Sequence, residues 1–252
     1  MREARADAAQ SIRDAARRLC LSNETLAHVL ETSTPRQLEA IGAMFDYELG
    51  VRERNRKARL LRKAAFPSVK SVADFDFADV RMPEGHGIED MLSLSWVEKD
   101  QDYVFFGQTG RGKTHLAVAL GMLCIDRGLQ VRYLPCAQLV LQLQKARDAN
   151  TLDAAYADIA KADLVILDEF GYIPLDSAGA RLLFQVISNS YERQSLILTT
   201  NIEFSRWGAV LADEKLAAAA VDRIVHHGRL VEFGGKSRRV EHSLMLGNRQ
   251  EQ

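Results

Sequence analysis

The sequence predicts an α/β protein, a parallel sheet flanked by helices, preceded by a smaller helical domain. Three observations predict it. After about residue 74, short apolar runs alternate with helical segments, the order of a parallel sheet. The runs are only four or five residues long and mostly apolar, as in strands buried on both faces. Residues 1–74 are dense in charge and lack such runs, so the expected domains are 1–74 and 75–252.

Each element has its own reason. Residues 1–20 mix charges of both signs without an apolar segment, which argues for a helix and against a secretory leader. Around Phe45, Leu49, Leu60 and Leu61 a helix with a narrow apolar face is expected. Pro67 and Pro83 flank a linker. A first strand, 103–106 (YVFF), runs into a glycine loop, and a helix is expected at 114–127. A turn at Gly128 leads to a second strand, 131–134 (VRYL), then a helix at 137–147. The third strand, 164–167 (LVIL), ends at Asp168, and Pro174 marks the loop beyond it. Leu182, Leu183, Val186 and Ile187 give residues 179–193 a helical apolar stripe. A fourth strand, 196–199 (LILT), exits at Thr200 and Asn201, and 229–233 (RLVEF) is the fifth.

Composition narrows the function. With 252 residues and 47% apolar residues the chain supports an α/β core plus an accessory domain. A net charge of −1 excludes a polycation, so a nucleic-acid surface must come from local clustering. No apolar stretch approaches the ~18 residues that span a bilayer. Cys20, Cys124 and Cys136 form no CxxC pair and no metal-ligand spacing, so reduced thiols and a cytoplasmic location are expected, with Cys124 and Cys136 as small core residues.

Gly107-Gln108-Thr109-Gly110-Arg111-Gly112-Lys113-Thr114 fits GxxxxGK[ST] between a strand and a helix. Phosphate oxygens need several backbone N–H donors converging on one point, and glycine lets the backbone approach. The helix N-terminus adds partial positive charge. Lys113 reaches the β- and γ-phosphates of ATP, and the Thr114 hydroxyl suits Mg²⁺. His115, directly after the loop, belongs to the nucleotide-binding stretch as a helix-surface residue, not a catalyst. The alternative, a glycine turn without a ligand, loses weight once the acidic pair is counted.

That pair closes the third strand. Asp168 at the strand end can hold Mg²⁺ through water, and Glu169 can orient and deprotonate the attacking water. Two adjacent carboxylates repel unless a cation sits nearby; otherwise they are a solvated strand end. Asn201, at the exit of the next strand, can contact the γ-phosphate or the water.

These motifs, in this order, resemble the AAA+ ATPases. Flanking text narrows the resemblance: Ala65-Phe-Pro-Ser-Val-Lys70, Asp74-Phe75-Asp76-Phe77, Leu167-Asp-Glu-Phe-Gly-Tyr-Ile-Pro-Leu175, Tyr191-Glu192-Arg193, Thr200-Asn201-Ile-Glu-Phe-Ser-Arg-Trp207 and Val221-Asp222-Arg223-Ile-Val-His226-His227. Over residues 25–240 the chain is similar to the IstB-type insertion-sequence helper ATPases, with the DnaC-type helicase loaders as near relatives. The resemblance implies an AAA+ core with strand order 5-1-4-3-2, the strands numbered as above. It implies ATP and Mg²⁺ as cofactors, duplex DNA bound with little sequence specificity, self-association, and an IstA-type transposase as partner. In such assemblies an arginine completes a neighbour's site; Arg223 matches that position, and Arg193 matches a second family arginine. The chain departs from the family at Gln108-Thr109, where a proline-rich start is usual, at Arg206, where an acidic residue is common, and in Lys236-Ser237-Arg238-Arg239, which matches the family's ending only loosely and leaves a role for Arg238 open. The residues after Phe233 are too few for a helical lid, so none is expected, and hydrolysis is expected to be weak until the protein assembles on DNA.

Arg52, Arg54, Arg56, Lys57, Arg59, Arg62 and Lys63 crowd a stretch with one acidic residue, Glu53. Either they form a solvated helix face or they contact the phosphate backbone of DNA; the resemblance favours DNA. His226 and His227 have no other histidine or cysteine nearby to complete a ligand set and read as structural or partner-facing. The competing functions are a helicase loader, a P-loop small-molecule kinase and a nucleotide switch without turnover. Glu169, placed to activate water, argues against the last two.

Overall fold

Three helices open the chain: α1 (Arg2–Arg18), α2 (Asn23–Thr32) and α3 (Pro35–Ala64). The computed structural model describes residues 2–237, with side chains from residue 9. Arg238, Arg239 and the residues that would have to build a lid lie outside the described residues. Two compact units divide the chain, Met1–Arg59 and Leu60–Gln252. The division falls earlier in the chain than the composition change near residue 74.

In the first unit, Ile12, Ala15, Ala16 and Leu19 recur at helical spacing on α1 and form a small core with Leu38 and Phe45 of α3. Local chemistry starts each helix. The Ser22 hydroxyl accepts from the Thr25 N–H at 3.2 Å, capping α2. Pro35 takes the first position of α3, where its missing N–H costs nothing.

The second unit is a sheet with helices on both faces. In chain order it comprises β1 (Val80–Arg81), α4 (Ile88–Leu92), β2 (Asp102–Phe106), α5 (Lys113–Asp126), β3 (Val131–Pro135), α6 (Cys136–Asp148), α7 (Leu152–Ile159), β4 (Leu164–Phe170), α8 (Ser177–Ser190), β5 (Ser195–Thr200), a 3₁₀ turn at Phe204–Arg206, α9 (Trp207–Leu211), α10 (Glu214–His227) and β6 (Gly228–Phe233). The sheet order is β1-β6-β2-β5-β4-β3. The five expected strands are parallel neighbours in the expected order, but the sheet is six-stranded and mixed. The correction is β1, paired antiparallel to β6 through Val80↔Phe233 and Arg81↔Glu232. Two residues are too few for a hydrophobic period to register.

Alternation along the strands builds two cores. On β4, Val165 and Leu167 face one layer, with α6, α7, α8, α9 and α10; Leu164 and Ile166 face the other, with α5. Burying each such side chain contributes about 1.5–3 kcal/mol. Cys124 and Cys136 are buried here; burial pushes the Cys124 thiol up to about 12 and raises Cys136 as well, so both act as small apolar residues. At the start of β2 the buried Asp102 carboxylate accepts from the Leu196 N–H at 2.8 Å, yet burial pushes its pKa up to about 7. Among the described residues, no helix is long and apolar enough to cross a membrane.

The topology fixes where a ligand goes. β2 lies between β5 and β6, while the chain after it crosses to β3 at the far edge. The crevice at the C-terminal ends of β2, β4 and β5 therefore lies at a switch of connection direction.

Candidate nucleotide site

The phosphate loop leaves β2 through Gly107, whose N–H donates to the Thr200 carbonyl at 3.2 Å. On its other side a Cβ would stand 2.4 Å from the Phe233 carbonyl oxygen, and φ is +152°. Glycine is required there by contact as well as by conformation. Gly112, at φ +95°, caps α5 and lies against the Phe75 ring, where a Cβ would meet Cε2 at 2.8 Å. Lys113 Nζ donates to the carbonyls of Gly107 at 2.5 Å and Gln108 at 2.9 Å, which holds the ammonium over the loop. Arg111 braces the loop from outside, donating to the Phe233 carbonyl at 3.1 Å and to Gln108 Oε1 at 2.8 Å. Gln108, the departure from the family's start, is thus tied to the loop's own arginine.

β4 does not end at Asp168 as expected; it continues to Phe170 through a bulge. Leu167 pairs with Leu198 and Phe170 with Thr200, so Asp168 and Glu169 oppose Thr199 alone. Glu169 takes φ +59°, a conformation that costs a non-glycine residue about 1–2 kcal/mol. The two carboxylates end in different places. Asp168 is 2% exposed, and Glu169 is exposed at the pocket wall.

Three hydroxyls hold Asp168. Tyr133 donates to Oδ2 at 2.5 Å, Thr199 to Oδ1 at 2.5 Å and Thr114 to Oδ1 at 3.0 Å. Thr199 also accepts the Glu169 N–H at 3.0 Å, so one hydroxyl ties both members of the acidic pair. Burial, reinforced by the bond to Asp168, raises the Tyr133 pKa far above that of a free phenol, so this hydroxyl stays a donor.

These parts surround a cavity of about 510 Å³, within the usual size range of ligand sites. Loop residues 109–114, His115, Glu169, Thr199, Thr200 and Asn201 all line it. Gly107 and Gln108 bound the loop but do not line the cavity, and Asp168 lies behind Thr114 and Thr199. His115 stands on the rim, its Nε2 3.2 Å from the Ser71 carbonyl oxygen.

Sequence reasoning missed several residues. Pro67, Ser68, Lys70 and Phe75, read as linker and motif text, line the same cavity. Phe75 is fixed edge-on to Phe77 at 4.8 Å and His115 at 5.4 Å. Tyr172 lines it as well. Tyr133 carried no local signal, because only the pairing of β3 with β4 brings it to Asp168.

Arg223 is not among the residues lining this pocket. On α10 it donates to the Ala219 carbonyl at 2.9 Å and lies 5.0 Å over the Phe184 ring. Arg193 is exposed in the turn before β5. The basic residues of α3 (Arg52, Arg54, Arg56, Lys57, Arg59, Arg62 and Lys63) are all exposed, and Arg52 pairs with Glu48 at 2.8 Å. Surface pairs of this kind contribute little to stability.

A protein-family profile described as IstB-like ATP binding protein matches residues 19–245. A protein named for ATP binding in insertion sequence IS232 of Bacillus thuringiensis subsp. berliner is 37% identical over 204 residues, covering 81% of this chain and 82% of its own. Its counterpart in insertion sequence IS21 of Pseudomonas aeruginosa is 34% identical over 198 residues, covering 79% of this chain and 74% of its own. Among solved structures, AMPPCP-bound DnaA from Aquifex aeolicus shares the fold, with a TM-score of 0.55 over 75% of this chain and 58% of that one at 18% identity.

Proposed function

The chain belongs to the family of IstB-like ATP-binding proteins, and from that premise we propose that it is a Mg²⁺-dependent ATPase that assembles on duplex DNA and serves an insertion-sequence transposase. The observation that carries this reading is the convergence of the Gly107–Thr114 loop, Asp168 and Glu169 on one crevice.

ATP lies with its β- and γ-phosphates in the loop, where backbone N–H groups and the α5 N-terminus meet their charge. Lys113 exchanges its loop carbonyls for phosphate oxygens, its catalytic role. Thr114 and Asp168 are hard oxygen donors 3.0 Å apart, and they fit magnesium. When bound, that ion would offset the charge on the phosphates. Glu169 takes a proton from the attacking water. A bond forms from the water oxygen to the γ-phosphorus, the bond to the bridging oxygen breaks, and ADP and phosphate leave. Asn201 at the opposite strand end orients the water or the γ-phosphate. Arg223 acts on a neighbouring subunit's site, a reading supported by its place outside its own pocket; an arginine supplied in this way is worth roughly 10³–10⁵ in rate. Arg193 is the second candidate.

The exposed cations of α3 (Arg52, Arg56, Lys57, Arg59, Arg62 and Lys63) contact phosphates of duplex DNA, a backbone contact without base readout. The helicase-loader reading shares the whole ATP site and differs only in the partner. The kinase reading conflicts with Glu169 at the pocket wall.

The test is ATP hydrolysis with and without duplex DNA. Wild type is expected to be slow alone and stimulated by DNA, and Glu169→Gln to bind ATP without turnover in either state, a loss of about 10²–10⁴-fold. Arg56→Ala/Lys57→Ala/Arg59→Ala is expected to bind duplex more weakly, with a shallower salt dependence and less stimulation. Turnover by Glu169→Gln at the wild-type rate, or DNA binding by the triple variant with unchanged salt slope, contradicts the proposal.

A further inference from the structure

Away from the nucleotide pocket, two chain segments bring three metal-ligating side chains together. His226 and His227 are the last two residues of α10. Glu192 sits in the turn between α8 and β5, at φ +55°. His226 Nδ1 is 2.9 Å from His227 Nε2, which is 3.2 Å from Glu192 Oε1. All three ligand atoms lie within 4.8 Å of one another. Among the described residues this is the one such group of three or more. The two histidines lacked a partner in the local sequence because the third ligand comes from the other side of β5.

We propose that Glu192, His226 and His227 form a site for a divalent transition metal of the zinc class. Three ligand atoms converge on one region, and the two imidazole nitrogens, 2.9 Å apart, share an N–H···N hydrogen bond whose proton a metal ion can replace. Bonds of 2.0–2.2 Å to a tetrahedral ion put ligand atoms roughly 3.3 Å apart; the 2.9 and 3.2 Å spacings open by a few tenths of an ångström, and His226 and Glu192, within 4.8 Å of each other, complete the set by small side-chain turns. Two imidazoles and one carboxylate make a common three-ligand set with an open fourth position. Imidazole favours zinc, copper or nickel over magnesium, so this site does not compete for the ion of the nucleotide pocket. The Tyr191 hydroxyl, 2.8 Å from His226 Nδ1, contacts the same nitrogen and turns aside when the metal takes that lone pair.

The site joins the turn holding Arg193 to the helix turn holding Arg223, one turn before the histidines on α10. A bound ion would therefore fix how both arginines are presented. That consequence rests on the ATPase reading; the site itself does not.

The test is a titration of the full chain with Co²⁺ in excess Mg²⁺, followed by visible absorption, with Zn²⁺ as competitor. One equivalent of Co²⁺ in a four- or five-coordinate nitrogen–oxygen site is expected, displaced by Zn²⁺. His227→Ala and Glu192→Gln should each weaken it about tenfold or more, while Cys20→Ser leaves it unchanged. Zn²⁺ should raise the Tm of the wild type by several degrees and that of Glu192→Gln by clearly less at the same concentration, a readout independent of colour. No stoichiometric band, or a band that persists in His226→Ala/His227→Ala, overturns the proposal and leaves the contact between the rings as a plain hydrogen bond.

Discussion

One hydroxyl, that of Thr199, connects the two carboxylates of the site: it donates to the buried Asp168 and accepts from the Glu169 backbone. Both bonds go to the acidic pair, so it acts as a positioning residue. Thr199→Val keeps the shape and removes both bonds, leaving a buried carboxylate short of one donor. A loss of about 1–3 kcal/mol in stability is expected, together with a fall in kcat larger than any change in ATP affinity, and Thr199→Ser should restore both. A valine variant with wild-type kcat contradicts this role. At this scale the sequence was informative where chemistry is contiguous. The loop from Gly107 to Thr114 and the Asp168-Glu169 pair are read directly because phosphate binding dictates their spacing. Tyr133 and Lys70 were illegible because their relation to the site exists only after the strands and the 65–77 segment have folded.

The bulge in β4 is the element that makes the site. A regular strand would have alternated Asp168 and Glu169 to opposite faces of an unbroken ladder. Instead one residue of β5 faces two of β4, and Glu169 pays for its position with a left-handed backbone. Glycine adopts that conformation freely and alanine only at a cost. Glu169→Gly and Glu169→Ala both lack the carboxylate, yet the glycine variant is expected to be more stable by about 1 kcal/mol in thermal or urea unfolding. Equal stability, or a more stable alanine variant, would mean that the backbone relaxes and stores no strain. Strand existence and order were legible because the five parallel strands are short apolar runs between helices. β1 and the bulge were not: two residues carry no period, and a bulge leaves the apolar pattern on either side intact.

At the scale of the whole molecule, the proposed role of Arg223 requires a second copy of the chain. Arg223 does not line the pocket of its own subunit. If it completes a neighbour's site, an equal mixture of Arg223→Ala and Glu169→Gln proteins, each inactive alone, regains turnover. Half of the sites then hold an intact Glu169 and half of those an intact Arg223, so about a quarter of the wild-type rate is expected. A mixture as inactive as its components places the arginine elsewhere. The proposed assembly and the proposed contacts with DNA and a transposase are the parts least legible in the sequence of one chain, since they would belong to surfaces between molecules. The nucleotide grip beneath them belongs to one subunit and is tested most directly by equilibrium binding of Mg-ATP to wild type, Lys113→Ala and Glu169→Gln. Glu169→Gln is expected to bind as tightly as wild type and to keep its ATP intact, and Lys113→Ala to bind about 10²-fold more weakly. Undiminished affinity in Lys113→Ala would contradict the account.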